Sequence, residues 1–161
     1  MSSPTVTGLR AGDVMTSDVL TVDADQGLLL TWELVCQAGV HHVPVLEHGR
    51  CLGLLAERDL ALEIAANPLG HPRRLVRELT AAAPAYVDVD NPVGDVARQL
   101  LDTGKDAILV HTKAGRLVGL VTVHDLLRVL TGQTTRRSDD QGRDFWPTLF
   151  ELTPVLPSAT P

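Results

Sequence analysis

Hydrophobic and polar positions along the chain follow strand-like and helix-like spacings in one order that occurs twice. In the first half, β-branched residues at Val19–Val22 predict a strand, and Asp25 is placed to cap the helix that follows. Gly39 is positioned to end that helix in the left-handed conformation. The other predicted elements are a hairpin of His42–Leu46 and Arg50–Ala56 and a helix over Glu57–Ala66, followed by a linker rich in Pro and Gly.

The second half repeats this order. Tyr86–Asp90 predicts a strand, after which Asn91 suits the N-cap of a helix and Pro92 its first position, with Gly104 at its end. A hairpin of Ala107–His111 and Arg116–Thr122 and a last helix over Val123–Leu130 follow. Because these elements recur in the same order with similar sequences, the chain is predicted to contain an internal repeat.

Each copy is too small to cover its own sheet, so the two copies are expected to pack on each other. Leu29, Leu30 and Leu34 leave a second apolar face on the first long helix. This face predicts self-association, and burial within the pair is the alternative.

Composition narrows the classes of partner. The 161 residues are 44% hydrophobic, as in ordinary globular proteins, and the formal charge of −6 excludes the basic stripe that nucleic acids require. No stretch approaches the roughly 20 apolar residues that span a bilayer, and the first residues resemble no leader, so we expect a cytoplasmic protein without a membrane partner. Cys36 and Cys51 each lie alone in an apolar segment and are predicted to be buried and reduced.

The pattern ends near Gly132. A polar stretch of mixed charge over 136–143 predicts disorder, and 144–150 then holds both Phe residues and one of the two Trp residues. Such an aromatic segment on a tether is expected to dock on its own core, on a second subunit or on another protein. Docking on its own core is the simplest of these expectations.

Three short motifs accompany the repeat: Met15-Thr16 before the first strand, 39–45 in the first copy, and Gly-x-x-Thr-x-x-Asp over 119–125 in the second. Together they resemble the cystathionine-β-synthase (CBS) domain family. The resemblance implies an α/β (α+β) fold of two CBS domains, each a small three-stranded sheet with two helices, related by pseudo-twofold symmetry as a Bateman module. It implies a lead-in at 1–10, domain 1 at 11–66, a linker at 67–75, domain 2 at 76–132 and a flexible tail at 133–161 with an aromatic segment at 145–150.

The resemblance also implies an adenosine-containing ligand, AMP, ADP, ATP or S-adenosylmethionine, held in clefts between the domains of a homodimer. In the family pattern Thr122 and Asp125 hold the ribose, since a carboxylate accepts hydrogen bonds from vicinal hydroxyls and a helix N-terminus favours phosphate. The alternative for this pair is a helix cap, a near relative of the Ser/Thr-x-x-Glu box. The two roles are compatible.

The first copy departs from the family pattern because Ala56 replaces the hydroxyl residue, so its cleft is predicted to be weak or empty, although Arg58 and Asp59 remain. Arg58 and Arg128 are expected either to pair with a ligand phosphate or to be solvated. By the resemblance, the adenine slot involves Ala85, Tyr86, Ile108 and Leu109 in the second copy and Thr21, Val43 and Pro44 in the first, all of which also suit a core.

Three histidines, His41, His42 and His124, are candidates for nucleotide contact. A metal site at His41-His42 is not expected, because adjacent strand residues point to opposite faces and no further ligand stands at a recognisable spacing. His124 and Asp125 do not form an acid–base pair, since neighbours on a helix do not face each other. With no nucleophile and base, phosphate loop or metal cluster, the sequence predicts neither an enzyme nor a required cofactor.

The leading functional prediction is therefore a regulatory module that binds an adenosyl ligand and changes its domain or dimer geometry in response. The alternative is a dimeric interaction scaffold with vestigial clefts that acts on an effector protein through its C-terminal tail.

Overall fold

The element boundaries follow the local sequence signals closely. In a computed structural model of the chain, residues 8–67, 73–80 and 84–133 are described, together with the backbone of Thr148–Glu151. The helices are α1 (Ala11–Val14), α2 (Leu28–Ala38), α3 (Glu57–Ala66), α4 (Val93–Thr103) and α5 (Val123–Leu130), with a 3₁₀ turn at Val76–Leu79. The strands are β1 (Asp18–Asp23), β2 (His42–Glu47), β3 (Arg50–Ala56), β4 (Tyr86–Asp88), β5 (Ala107–His111), β6 (Leu117–Thr122) and β7 (Thr148–Glu151). Within the described ranges, no helix is long and apolar enough to cross a membrane.

The repeat appears as two sheets of the same construction. In the first copy β1 runs parallel to β2, which pairs antiparallel with β3. In the second copy β4, β5 and β6 pair in the same way. The first sheet has a fourth strand, because β7 lies beside β1 at its edge. The predicted sheets of three strands are thus confirmed with one addition, which comes from the segment expected to dock, and the stretch expected to be disordered lies outside the described residues.

The chain divides into two compact units that do not coincide with the sequence copies. The second-copy unit contains residues 84–133 and also 8–19, and the first-copy unit contains 20–67 and 73–80. Segment 8–19 therefore belongs with the second copy, although it precedes the first in sequence. Segment 73–80, which leads into the second copy, belongs with the first. Each copy is completed by the other copy's leading segment.

Backbone hydrogen bonds hold these exchanged segments in place. In the second-copy unit, Thr16 and Leu120 each donate an N–H to the other's carbonyl, at N···O distances of 2.9 and 3.1 Å. In the first-copy unit, Val76 N–H donates to Gln26 O and Arg77 N–H to Ala24 O, both at 3.0 Å. Backbone N–H and carbonyl groups are thus paired across the exchanged segment in both units, so the exchange occurs in the same way in each.

The exchanged segments also contribute to the two hydrophobic cores. In the second-copy unit, Ala11 and Val14 of α1 are buried against α4, α5 and one face of the sheet. In the first-copy unit, Val76 is fully buried with Val22, Leu28 and other residues of that copy. Removing either segment from its core would expose apolar surface, so neither copy is a complete folding unit by sequence alone.

Two predicted helix caps are wrong, one by two residues and the other by one. Asp25 does not cap α2, whose N-cap is Gly27, because Asp25 pairs with the Arg77 guanidinium, which also lies 2.9 Å from Glu47 Oε1. Asn91 is not the N-cap of α4 either. Its side chain accepts a hydrogen bond from Asp88 N–H at 3.1 Å, and Pro92 takes the N-cap position. Local capping preferences predict that each side chain binds the start of its helix. Asp25 instead makes a tertiary ion pair, and Asn91 makes a hydrogen bond within a turn.

Gly119 is required by the close approach of the exchanged segment 8–19. A Cβ on Gly119 would lie 2.6 Å from the carbonyl oxygen of Thr16 and 2.8 Å from Met15 Sδ. At the matching position of the first copy, a Cβ on Gly53 would lie 3.1 Å from Thr80 Cβ and 3.3 Å from Thr80 Cγ2. The overlap is thus closer at Gly119, where the nearest atom belongs to the backbone.

We expect Gly119→Ala to lower the free energy of unfolding by about 1–3 kcal/mol, because a backbone carbonyl must move and break its pairing with Leu120. Gly53→Ala is the matched control and is expected to cost less, since its closest contact, Thr80 Cβ at 3.1 Å, needs to shift by only a few tenths of an ångström. Urea unfolding followed by circular dichroism measures both. Equal losses for the two variants would contradict this account of the exchanged segment.

Candidate functional site

Thr122 and Asp125 form a reciprocal pair where β6 becomes α5. Thr122 ends the strand in extended conformation and is the N-cap of the helix. Its N–H and its hydroxyl both donate to Asp125 Oδ2, at 2.8 and 2.7 Å, and its Oγ1 accepts from Asp125 N–H at 3.1 Å. The helix cap, one of the two roles expected for this pair, is confirmed.

The cap hydrogen bonds use only one of the two carboxylate oxygens of Asp125. The residue is only 6% exposed, and both cap hydrogen bonds go to Oδ2. Among the described residues, Oδ1 faces only Arg128 Nη1, at 4.0 Å, which is too far for a hydrogen bond. A carboxylate fixed in this way can accept a hydrogen bond from a ligand hydroxyl without reorganising.

Strand register places part of the predicted adenine slot on the same face as Thr122. Thr122 is opposite Ala107, and Tyr86 is opposite Leu109. Since residues 107 and 109 are two positions apart on β5, Thr122, Tyr86 and Leu109 lie on one face of the sheet. Tyr86 is half-buried there and Leu109 is completely buried.

The other two predicted slot residues of the second copy are placed differently. Ile108 belongs to the core on the opposite face of the sheet, and Ala85 is half-buried and packs against that core. The Ala85 carbonyl accepts a hydrogen bond from Leu109 N–H at 3.3 Å. A ligand reaches Ile108 or Leu109 only if neighbouring residues move, so Tyr86 is the most accessible side chain of this predicted set on the Thr122 face.

The first copy has the same backbone and a different site. Ala56 is the N-cap of α3 and provides no side-chain cap. His42 is opposite Ala56 in the ladder, and Thr21 and Pro44 are buried, while Val43 lies in the core on the other face. The Asp59 side chain is 56% exposed, with Oδ1 3.8 Å from Arg58 Nε. Of the residues predicted for this slot, Thr21 and Pro44 thus lie on the face opposite Val43, and the carboxylate is not held as it is in the second copy.

Sequence analysis missed a polar cluster at the start of α3. His41 Nδ1 lies 2.7 Å from Glu57 Oε2, and the Cys36 thiol donates to Glu57 Oε1 at 3.7 Å. The predicted burial of Cys36 is wrong, since this residue near the end of α2 is exposed, and Cys51 is half-buried. Desolvation and the Glu57 carboxylate raise the pKa of the Cys36 thiol, which keeps it protonated. No local pattern links residues so far apart in sequence.

The remaining candidates lie at the surface. His124 is exposed in the first turn of α5, and Arg128 is exposed one turn later. Over the described parts of the chain, no group of three or more His, Cys, Asp or Glu side chains is arranged to hold a metal ion.

Comparison with known proteins identifies the architecture. The CBS domain family matches residues 11–66 and 76–132, which cover most of the chain. The chain belongs to the CBS domain family. The CBS pair of protein MJ0100, solved in complex with 5′-methylthioadenosine and S-adenosyl-L-methionine, has the same fold, with a TM-score of 0.68 and 20% identity over 78% of this chain and 98% of that one.

A second group of relatives are magnesium transporters. Over 89 aligned positions, this chain is 39% identical to the magnesium transporter MgtE of Thermus thermophilus. The match covers 55% of this chain and 18% of the transporter. The cytosolic domain of the Mg²⁺ channel MgtE, solved in complex with ATP, has a TM-score of 0.63 and 30% identity over 75% of this chain and 48% of that one. The chain thus spans less than a fifth of the full transporter.

His111 adds a pH-sensitive contact beside Tyr86. The two ring centroids are 3.6 Å apart. Burial lowers the pKa of His111, against a smaller opposing effect of Asp88. The folded state therefore favours the neutral ring, and the unfolded state binds more protons as the pH falls below the ordinary value of 6.5.

We expect this group to contribute stability at neutral pH and to lose that contribution as the pH falls through about 6.5. His111→Leu, which introduces the residue found at the matching position of the first copy, should flatten the pH dependence of the unfolding midpoint over this range. Thermal unfolding at a series of pH values measures the difference. Parallel pH profiles for the two proteins would rule out His111 as the source.

Proposed function

We propose that this CBS pair is a regulatory, non-catalytic module that binds an adenosine-containing ligand at the second copy and changes its domain or dimer geometry on binding. The observation that carries the proposal is the Asp125 carboxylate, which Thr122 holds through Oδ2 while Oδ1 accepts no hydrogen bond from the described residues. AMP, ADP, ATP and S-adenosylmethionine share the ribose that this oxygen suits.

The chemistry of the surrounding residues supports the same class of ligand. A ribose hydroxyl donating to Asp125 Oδ1 would lie beside the N-terminus of α5, where the helix dipole favours a phosphate, with Arg128 one turn away. Tyr86 and Thr122 lie on the two outer strands of the sheet and are offset by two residues along the strands, which places their Cα atoms about 12 Å apart. A nucleoside is long enough to contact both side chains across this distance.

The comparisons support an adenosyl ligand in general terms. The MJ0100 pair was solved with 5′-methylthioadenosine and S-adenosyl-L-methionine, and the MgtE cytosolic domain with ATP. A ligand of this kind regulates only if it binds two arrangements of the module with different affinities. We therefore propose that the module has two arrangements of its domains or subunits, and that ligand binding changes the fraction of protein in each.

AMP titrated into the protein in a calorimeter should give measurable binding, and Asp125→Ala should weaken it at least tenfold, because the ribose hydroxyls lose their acceptor. Loss of the cap also costs about 0.5–2 kcal/mol of stability, so binding is measured well below the unfolding temperature. Asp95→Ala is the control, since this exposed carboxylate in the first turn of α4 pairs only with Arg98 at 2.8 Å among the described residues.

The control is expected to bind AMP like the original protein. ATP and S-adenosylmethionine are titrated in parallel to rank the ligands. If none of the three compounds binds at millimolar concentration, the proposed sensing function fails.

We also propose that the module is a homodimer. In the second-copy unit, α5 exposes a row of apolar side chains at helical spacing, Val123, Leu127 and Leu130, the last two by 53% and 70%. Leu101 on α4 is 82% exposed. In the first-copy unit, Leu29 and Leu30 of the predicted self-association face are exposed, and Leu34 is half-buried. Faces of this kind are typical of interfaces between subunits.

Leu127→Asp should convert the dimer to a monomer, because a buried charge without a partner strongly opposes association. Leu62→Asp is the matched control on α3, where a single exposed leucine has no such row beside it. Light scattering coupled to size exclusion measures the molar mass. A monomeric original protein, or a Leu127→Asp variant that remains dimeric, would contradict the proposal.

A further inference from the structure

The two sheets differ at the edge formed by their parallel strand. Among the described strands, β1 has a further neighbour at this edge, β7, and β4 has none. Strand β1 has six residues, whereas β4 has three. Val22 of β1 matches Val87 of β4 in register. The extra length of β1 is therefore its front half, Asp18–Leu20.

The front half of β1 depends on β7 for its pairing. The register between β1 and β2 is at Val22 and Asp23, the last two residues of β1. A strand is held by hydrogen bonds to a neighbouring strand, and Asp18–Leu20 lies ahead of the β2 ladder. The other neighbour of β1 is β7. The longer edge strand and the added strand thus occur together.

The two edges also differ in their need for a cover. Six residues of open strand edge would offer N–H and C=O groups to another chain, and the β-branched residues of β1 favour such pairing. Strand β4 is only three residues long, and Pro84 stands two residues before it. Short strands and prolines both discourage pairing between chains. The first sheet therefore has the more vulnerable edge, and this is the edge that β7 occupies.

The sequence of the C-terminal segment suits this position. Thr148–Glu151 contains no Gly or Pro, while Pro147 precedes it and Pro154 follows. Proline cannot donate to a sheet ladder, so the local sequence favours a short strand between the two prolines. From Leu149 on, this strand belongs with the first-copy unit, although it follows the second copy in sequence. It is the third segment of the chain that lies outside its sequence copy.

We propose that the outer edge of β1 is a strand-docking surface whose occupant is the chain's own segment 148–151, which orders the front half of β1 and closes this edge to other chains. Strand β1 leads from the second-copy unit, where Thr16 pairs with Leu120, into the first-copy unit. The docked strand therefore holds the crossover between the copies. In this role the C-terminal segment acts on its own chain and not on an effector protein.

Hydrogen–deuterium exchange read by mass spectrometry tests the docking through the amides of Asp18–Leu20. These amides should exchange slowly in the original protein, and at least tenfold faster when Leu149→Pro is combined with Phe150→Pro. Successive N–H groups of a strand point to opposite sides, so one of the two prolines removes a donor that faces β1. Unchanged exchange of β5 and β6 shows that the variant is folded.

Val155→Pro combined with Leu156→Pro is the matched control, because it places two prolines at apolar positions outside β7. This control should leave the exchange of Asp18–Leu20 as it is in the original protein. Fast exchange of Asp18–Leu20 in the original protein would overturn the proposal without any variant. Equal exchange in the original protein and in the Leu149→Pro/Phe150→Pro variant would also overturn it.

A mixing experiment identifies the chain that supplies the strand. The isotopically labelled Leu149→Pro/Phe150→Pro variant is incubated with excess original protein, and exchange is read on the labelled chain. Asp18–Leu20 of the variant should remain fast, because its own segment 148–151 no longer pairs. Recovered protection would show that a second copy supplies the strand and would overturn the assignment. Both readouts are made without ligand, so they are independent of the proposed function.

Discussion

The reciprocal hydrogen bonds between Thr122 and Asp125 are the interaction on which the candidate site depends. They satisfy backbone and side-chain groups at the start of α5 and, in doing so, fix a nearly buried carboxylate beside a helix N-terminus. A buried carboxylate is costly unless its oxygens are hydrogen-bonded. The cap meets that cost for one oxygen and leaves the other oriented, so the residue that completes the cap is also the one proposed to bind the ligand.

The position of this site depends in turn on the exchange of leading segments. Segment 8–19 pairs with β6 at Leu120, two residues before Thr122, and Gly119 allows its backbone to approach. The segment thus supports the strand whose end carries the site. In the first-copy unit, segment 73–80 does the same for its sheet, with Arg77 pairing to Asp25 and Glu47. A chain built in this way links the stability of each copy to residues that precede the other.

The two copies share one construction and differ at the start of their last helix. Both copies keep the parallel and antiparallel pairing, the buried valines of the central strands and a left-handed glycine after the first long helix. The N-cap of this helix is Thr122 in the second copy and Ala56 in the first. The next residue is Val123 in the second copy and Glu57 in the first. A fold can lose a side-chain cap because packing supplies most of a helix's stability. Without a hydroxyl at the N-cap, the Asp59 carboxylate is solvated and is not held as the Asp125 carboxylate is.

The sequence by itself determined the local elements and the repeat. The bounds of α3 and α5, both hairpins, and the helix ends at Gly39 and Gly104 depend on hydrophobic spacing and on glycine φ, which neighbouring residues encode. Thr122 and Asp125 were likewise predictable as a cap, because the contact spans three residues.

Only the tertiary structure decided the rest. The exchange of segments 8–19 and 73–80, the β7 edge strand, the partner of Asp25 and the Cys36–Glu57–His41 cluster all join residues far apart in sequence, where no periodicity records the contact. The contrast between a held Asp125 and a solvated Asp59 also required three-dimensional packing, since exposure is a property of what surrounds a side chain.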